Sequence, residues 1–453
     1  MCQPAIFPLV AKNELTCLRS GVRIAPGCCN NMDLGQMQEG RADMKASFLK
    51  EVVGSFDPMQ SLDEEHRDWY VDRPDSPEEE IKVYLLNNST DTKILFSGHR
   101  GSGKTSTLSK LASDREIVER FLVVKFSIKD ELNVADLSYT DLLVAIGHRL
   151  YEEGKDWISK TLKDDLDRWS AEVSQVTTKT DEAEAKVEAG IGAWFLKATG
   201  MLKTGFADKK EFRRNFEPRV PQLIEFINRI IAAIETNSDA GGREVLVILE
   251  DLDKPTVDIA LDLFAVKGSV LVEPQCKIIF TVPTALLYSG QYNVAMQNFS
   301  KQFPLPNFKI KEKSGGRNET GWNRMREIAE RRMERQLIES QALDRAVEMS
   351  GGVVRELVRI IQGAAVKALV AKANCIKLAH VDQAVDELRS EYSFSLTRDE
   401  YIRILRRVQE TSQLMADNDK PMLDLLHNLF ILKYPNGPGW YGVNPIVHQL
   451  IGV

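Results

Sequence analysis

Residues Lys93–Thr107 read KILFSGHRGSGKTST, an apolar run that breaks into a turn rich in glycine and serine around one lysine. The apolar run predicts a buried strand, and the residues from Lys104 to about Ser113 predict a helix. The turn between them carries the spacing G-x-x-x-x-G-K-T, which starts at Gly98. Glycines let the backbone curl until successive N–H groups point into one concavity, and the helix behind adds the positive end of its dipole. The stretch therefore predicts a strand–loop–helix unit that holds a polyphosphate.

This loop supplies candidate residues for binding a nucleoside triphosphate. We expect Lys104 to neutralise the β and γ phosphates and the Thr105 hydroxyl to hold Mg2+. The candidate nucleotide-binding residues of the loop are Gly98, Arg100, Gly101, Ser102, Gly103, Lys104, Thr105 and Ser106.

A second strand ends in acidic residues. In REVLVILEDLDK, the continuous apolar run Val245–Leu249 predicts a strand buried on both faces, and Glu250 and Asp251 follow at its carboxyl end. One carboxylate would complete the Mg2+ shell, with Thr105 and Glu250 as the candidate metal ligands, and the other would polarise the attacking water. Most families with this motif begin it with aspartate, whereas glutamate comes first here, so the division of these catalytic roles stays open.

A third run, CKIIFTVPT, predicts a buried strand over Lys277–Val282 that ends near Thr281. Ligands of a doubly wound sheet lie at the carboxyl ends of its strands, so Thr281 is a catalytic candidate that would sense the γ-phosphate or the water. Threonine is also a good strand former, which is the structural alternative.

Four segments together carry a family resemblance: GHRGSGKT, VLVILEDLDK, IIFTVP and SGGVVREL, in this order within roughly residues 65–453. They resemble the AAA+ ATPases of the origin-recognition and STAND type, and the second also resembles the DDLD of the KAP group. The chain is similar, too, to bacterial ATPases of this kind encoded beside effector genes in phage-defence loci. The resemblance implies ATP and Mg2+ as cofactors, ATP hydrolysis, a homo-oligomer and a protein partner or effector.

Two further site residues follow from that resemblance. WYVDRP, residues 69–74, matches the segment that lies over the adenine, which makes Arg73 a nucleotide-binding candidate. Arg355 matches the second sensor arginine. Gly351 and Gly352 end a loop before a helix, so Arg355 in its first turn would reach a phosphate on the facing domain. The alternative is a surface arginine on an amphipathic helix.

The expected fold is α/β: a parallel-sheet, AAA+-like P-loop core with a helical lid and a C-terminal winged helix. We expect residues 1–45 to be a disordered tail or an over-extended start, residues 46–317 to be the core, and residues 318–395 to be the lid. Residues 396–453 would be the winged helix. A strand at 121–127 does not account for the long interval between Lys104 and Asp251, which predicts an insertion at about 165–215.

Two segments of the sequence raise the question of whether their side chains are buried or exposed. The insertion contains Trp194, Phe195 and Leu196, which would pack on the core or face another protein, and packing is favoured. The arginines at 331, 332 and 335 lie on a helix pattern of alternating charge, which predicts a solvated face, and none is assigned as an arginine finger.

The C-terminal stretch MLDLLHNLFILKYPNGPGWYGVNPIV predicts a helix, a strand at 430–434, a Pro-Asn-Gly-Pro-Gly turn and a strand from Trp440. Such winged helices often bind DNA. However, residues 396–453 contain six lysines and arginines against six aspartates and glutamates. A surface that contacts phosphates is normally basic, so protein docking or autoinhibition is favoured over DNA.

Composition sets the outer limits. The chain has 453 residues, of which 43% are hydrophobic and 28% charged, with a net charge of -7. This composition is typical of an ordinary globular protein, and no apolar run approaches the roughly 18 to 20 residues of a membrane span. Six cysteines lack the C-x-x-C spacing of zinc or redox sites, which favours reduced thiols in a cytoplasmic protein.

The sequence thus favours an ATP-binding and ATP-hydrolysing molecular switch that controls a partner protein or self-assembly. Two alternatives stay open: a DNA-binding ATPase of the loader or remodelling type, and a nucleotide-stabilised scaffold with little hydrolysis.

Overall fold

The structure is a computed structural model that describes residues 45–60, 62, 66–89, 91–177, 190–204, 206–237, 241–396, 398–414, 420–434 and 439–452. The expected N-terminal tail lies outside these residues except for Lys45, and so do four of the six cysteines and the C-terminal turn at 435–438. The other two cysteines, Cys276 and Cys375, are free thiols.

Five parallel strands form the central sheet in the order β2-β3-β4-β1-β5. The strands are β1 Lys93–Gly98, β2 Phe121–Ser127, β3 Glu244–Glu250, β4 Lys277–Pro283 and β5 Lys301–Leu305. At the end of β1, Gly98 lies opposite Pro283 of β4 and Leu305 of β5. The loop after β1 therefore leaves the sheet between two neighbouring strands, at their carboxyl edge.

Alternating side chains of the strands build the two faces of the sheet. In β1, Ile94 and Phe96 pack into one apolar cluster and Leu95 into another on the opposite face, and all three are fully buried. Helices cover both faces, as expected of parallel strands that read as continuous apolar runs. The predicted α/β class is confirmed.

The helices surround this sheet and extend beyond it. They are α1 Leu49–Ser55, α2 Glu78–Asn87, α3 Lys104–Ala112, α4 Arg115–Arg120, α5 Ile128–Glu131, α6 Tyr139–Gly154, α7 Lys160–Thr177, α8 Ile191–Thr204, α9 Phe206–Phe216, α10 Val220–Thr236, α11 Val257–Leu261, α12 Gly268–Leu271, α13 Tyr292–Met296, α14 Glu319–Arg332, α15 Ser340–Met349, α16 Val354–Val370, α17 Leu378–Ser393, α18 Asp399–Thr411 and α19 Lys420–His427. None of the described helices has the length and apolar character that crossing a bilayer requires.

Helices α7, α8 and α9 occupy the region of the expected insertion. Trp169 of α7 and Trp194 of α8 meet edge to face, with ring centroids 5.1 Å apart. Phe195 is buried and meets Trp194 in the same way. Leu196 points away and is 62% exposed. The segment packs on the core through two of the three apolar residues named in the sequence, and Leu196 is the exception.

Helices α14–α17, which occupy the region expected to be the lid and are called the lid below, share an apolar cluster. Helix α1 joins it, because Leu49, Val52 and Phe56 pack with the lid residues rather than with the sheet. The chain therefore contributes to the lid before it enters the sheet, although the expected core began at residue 46.

The C-terminal segment places α18 and α19 before an antiparallel hairpin of β6 Ile431–Tyr434 and β7 Trp440–Val443. Tyr434 stacks on Trp440 across the hairpin, with ring centroids 4.4 Å apart. Its hydroxyl donates to the Gly351 carbonyl oxygen at 2.8 Å. The expected helix and hairpin are present in that order, and the hairpin contacts the turn that precedes α16.

That turn depends on Gly352, which has a φ of +80° and whose carbonyl oxygen accepts from the Phe308 N–H at 3.1 Å. A Cβ atom on Gly352 would lie 1.9 Å from the Phe308 carbonyl oxygen. We expect Gly352→Ala to lower the free energy of unfolding by about 2 kcal/mol or more, because it adds a clash to a strained backbone. Thermal unfolding measures this effect.

Gly316→Ala is the matched control, because a Cβ there meets nothing within 4 Å. Equal melting temperatures for the two variants would show that the turn can relax without loss.

Candidate functional site

The glycine-rich loop joins β1 to α3 and requires two glycines in left-handed conformations. Gly101 has a φ of +75° and Gly103 a φ of +100°. A Cβ on Gly101 would lie 2.4 Å from the Cβ of Arg355, and one on Gly103 would lie 2.9 Å from the Arg73 guanidinium. The loop is thus curled, and arginines from two other segments approach it too closely for any side chain.

Lys104 begins α3 and is only 6% exposed. Its Nζ donates to the carbonyl oxygens of Gly98 at 2.8 Å and His99 at 3.0 Å, and forms an ion pair with Asp253 at 2.9 Å. Burial lowers the pKa of Lys104, while Asp253 opposes that shift. The acid that pairs with the loop lysine is therefore Asp253, which was not among the predicted site residues.

Glu250 ends β3 and is nearly buried. Its Oε2 pairs with Lys125 of β2 at 2.8 Å, whereas its Oε1 is buried with no hydrogen-bond partner in the described part of the chain. Burial raises the pKa of the Glu250 carboxyl, and Lys125 and Thr105 oppose the shift only in part. One oxygen of this carboxylate thus needs a partner.

Asp251 differs from its neighbour in conformation and charge. Its φ is +67°, which is uncommon for a residue with a side chain and is found most often at functional sites. The carboxylate accepts from Ser127 Oγ at 2.7 Å and pairs with Lys254 at 2.9 Å. Burial alone would raise the pKa of Asp251, but hydrogen bonds from Lys254 and Ser127 hold it below its usual range. Two adjacent acids with opposite pKa shifts are suited to different tasks.

Thr281 of β4 connects the two strands at this edge. Its hydroxyl donates to the Leu249 carbonyl oxygen at 3.0 Å and accepts from the Leu252 amide at 3.1 Å. It also lines the cavity described below. Of the two alternatives for this residue, these contacts favour the structural one, because the hydroxyl fixes the backbone on both sides of the acids.

A cavity of about 490 Å³ joins the loop, the acids and the lid. Its loop residues include Gly101, Gly103, Lys104, Thr105 and Ser106, the acids after β3 that line it are Glu250, Asp251 and Asp253, and Arg355 lines it from α16. The backbone N–H of Arg355 donates to the Gly101 carbonyl oxygen at 3.1 Å. The structure therefore brings most of the predicted site residues to one space.

Residues 69–74, the segment predicted to lie over the adenine, lie outside the lining of the cavity. Arg73 donates to the carbonyl oxygens of Pro306, at 2.8 Å, and of Ser102, and lies over the Phe308 ring, so it braces the loop from outside the cavity. Residues 57–60 and Leu62 line the cavity, whereas residues 69–74 do not. The residues that line the cavity in place of the predicted segment are those that follow α1, and no sequence motif indicated them.

Two loop positions contact the C-terminal segment instead. Arg100 donates to the Asp253 carbonyl oxygen and meets His427 Nε2 of α19. His99 Nε2 accepts from the Lys433 amide at 3.1 Å, and burial lowers the pKa of His99 to about 3. The neutral imidazole and the guanidinium tie the loop to α19 and β6, and no sequence pattern indicates this contact.

No protein-family model matches the chain, and no curated protein matches it significantly. Solved structures show similarity. The chain is similar to the Aeropyrum pernix ORC2 protein in its ADPNP–ADP complexes, with 13% identity, a TM-score of 0.38 and coverage of 85% of this chain and 95% of that one. It is similar to the Aeropyrum pernix ORC1 protein in complex with DNA, with 10% identity, a TM-score of 0.40 and coverage of 86% and 94%.

The Thermotoga maritima RuvB Holliday junction branch migration motor is also similar, with 11% identity, a TM-score of 0.33 and coverage of 90% and 98%. None of these similarities assigns a role to a residue of this chain.

The parallel sheet, the G-x-x-x-x-G-K-T loop at the end of β1 and the helix behind it define the class: the chain has an α/β P-loop NTPase core.

The buried pair of Lys104 and Asp253 generates a stability test. We expect Asp253→Ala to lower the free energy of unfolding by about 3 kcal/mol, because it leaves a buried ammonium without its ion-pair partner. Adding Lys104→Met should recover much of that loss, since no unpaired charge then remains. Chemical denaturation of the two single variants and the double variant measures the coupling. Strictly additive losses would contradict the pairing.

Proposed function

We propose that this protein binds and hydrolyses ATP and acts as a molecular switch. The observation that carries the proposal is the shared cavity, which is lined by the phosphate loop, by the acids after β3 and by Arg355 of the lid. A nucleotide in this cavity contacts both the sheet and the lid. Its phosphate state can therefore bias the position of the lid, because ATP and ADP interact differently with it.

The proposed phosphate site is the curled loop from Gly98 to Thr105 with Lys104. Backbone N–H groups and the N-terminus of α3 favour a negative charge there. Phosphate oxygens would replace the Asp253 carboxylate as the partner of Lys104. Arg355, whose backbone already bonds to Gly101, would contact the γ-phosphate.

Thr105 and Glu250 fit the Mg2+ ion that accompanies ATP. The support is the buried, unpartnered Oε1 of Glu250 together with the nearby Thr105 side chain, which lowers the pKa of that carboxyl. Bound Mg2+ neutralises charge on the phosphates. In our assignment Glu250 would hold the ion, because Lys125 pairs with its other oxygen. Asp251 would polarise the attacking water, since Ser127 and Lys254 fix its carboxylate.

We further propose three functional parts: the P-loop core up to residue 317, the lid at 318–395 and a winged helix at 396–453. In this account the switch controls a protein partner or self-assembly, in the manner of the STAND-like ATPases that the sequence resembles, and phage defence is the proposed setting. The contacts of His99 and Arg100 with the C-terminal segment support a link between the loop and this third part.

The helices and hairpin of residues 398–452 favour DNA binding by a loader or remodelling ATPase as the second candidate. DNA affinity that falls steeply with salt, and hydrolysis stimulated by DNA, would identify that function. The equal numbers of basic and acidic residues at 396–453 favour protein docking instead.

Calorimetry with MgATP tests the proposed function. We expect Lys104→Ala to abolish measurable ATP binding, because the phosphates lose their buried cation. Lys110→Ala is the matched control: Lys110 lies on the same helix, is 45% exposed and pairs with Asp72 and Glu78. Unchanged ATP affinity in Lys104→Ala would overturn the site, and tight ATP binding with a flat hydrolysis baseline in the unmodified protein would identify a scaffold instead of a switch.

A further inference from the structure

Arg332 is a buried cation that belongs neither to the proposed phosphate site nor to the proposed Mg2+ site. The sequence pattern predicted a solvated face for the arginines at 331, 332 and 335, and for Arg332 this is wrong, because it is 5% exposed at the end of α14. The helix turns this position toward α1 and the segment that follows it. Arg335, by contrast, is 79% exposed and pairs with Glu330.

The guanidinium of Arg332 is held in place but is not neutralised. One terminal nitrogen donates to the Ser55 carbonyl oxygen at 3.1 Å, and the group lies 4.8 Å from the centre of the Trp69 ring. Within the described ranges no carboxylate pairs with it, and its Nε is buried without an acceptor. Burial lowers the pKa of Arg332 to about 10, so the group remains charged at neutral pH. A buried guanidinium with an unused donor is costly unless something else supplies an acceptor.

Arg332 lines the same cavity as the phosphate loop. The cavity is also lined by two apolar residues of α16, Val354 and Val358, and by residues 57–60 of the segment after α1. In the proposed function the loop, Lys104 and Arg355 take the phosphates. The part of the nucleotide left for the apolar wall is the base, a flat ring that carries nitrogen acceptors on its edge.

We propose that Arg332 binds the base of the nucleotide, and that its guanidinium donates a hydrogen bond to a ring-nitrogen acceptor of the purine. This inference rests on the proposed function, since it places the base of the ATP in the cavity. The valines lie on one side of α16 and contact one face of the ring, and Arg332 donates to its edge. A charge-assisted hydrogen bond in a dry site strengthens binding by about tenfold to a hundredfold.

Calorimetry with two ligands tests this role: MgATP, which has a base, and inorganic tripolyphosphate with Mg2+, which has none. Arg332→Met keeps an unbranched apolar stem at this position and removes the guanidinium donors. We expect this variant to bind ATP at least about tenfold more weakly and to bind tripolyphosphate as the unmodified protein does. Arg335→Met is the matched control and should bind both ligands normally. Retained tripolyphosphate binding also shows that the variant is folded.

The outcomes separate the two proposals. If the unmodified protein binds neither ligand, the proposed function fails. If it binds both ligands, and Arg332→Met keeps the full preference for ATP over tripolyphosphate, the base-binding role is overturned. The same conclusion holds if the variant loses affinity for both ligands equally, because Arg332 is then a brace for Ser55 and Trp69.

Discussion

The site depends on the burial of one ammonium group. Lys104 lies at the start of α3 with 6% of its surface exposed, and its charge must be balanced by oxygens that the fold brings to it. Two come from the backbone at the end of β1, and the third is the Asp253 carboxylate after β3. The order of the parallel strands makes this possible, since β3 and β1 flank β4 and all three end at the same edge. A polyphosphate offers the same kind of oxygen partner, so a phosphate oxygen is suited to replace the Asp253 carboxylate beside Lys104.

The lid is attached to that edge through backbone contacts that only glycine permits. The Gly101 carbonyl oxygen accepts a hydrogen bond from the Arg355 N–H, and the Gly352 carbonyl oxygen accepts one from the Phe308 N–H. Neither glycine has room for a Cβ atom. The start of α16 is thereby held against the loop. Arg332 and the valines of α16 give the lid a second contribution to the cavity, so the sheet and the lid each form part of its wall.

The sequence predicted the elements that are encoded locally. The strand at 121–127 has the expected bounds, and the P-loop lies where its spacing placed it, because apolar runs and glycine turns depend on neighbouring residues. It missed β5, an edge strand whose pattern is weakened by Pro304 and an exposed Lys301. It also missed the Asp253 partner, the cavity wall at 57–60 and the burial of Arg332. Those features arise from contacts between residues far apart in the chain, which no local period records.

Hydrogen exchange tests most directly whether nucleotide state couples the loop to the lid. The measurement follows peptides covering residues 98–107 and 353–358 with MgATP, with MgADP and without nucleotide. The account predicts that both peptides are protected, that ATP protects residues 353–358 more than ADP does, and that Arg355→Ala removes this difference while leaving protection of the loop. Equal protection of residues 353–358 by ATP and ADP in the unmodified protein would contradict it.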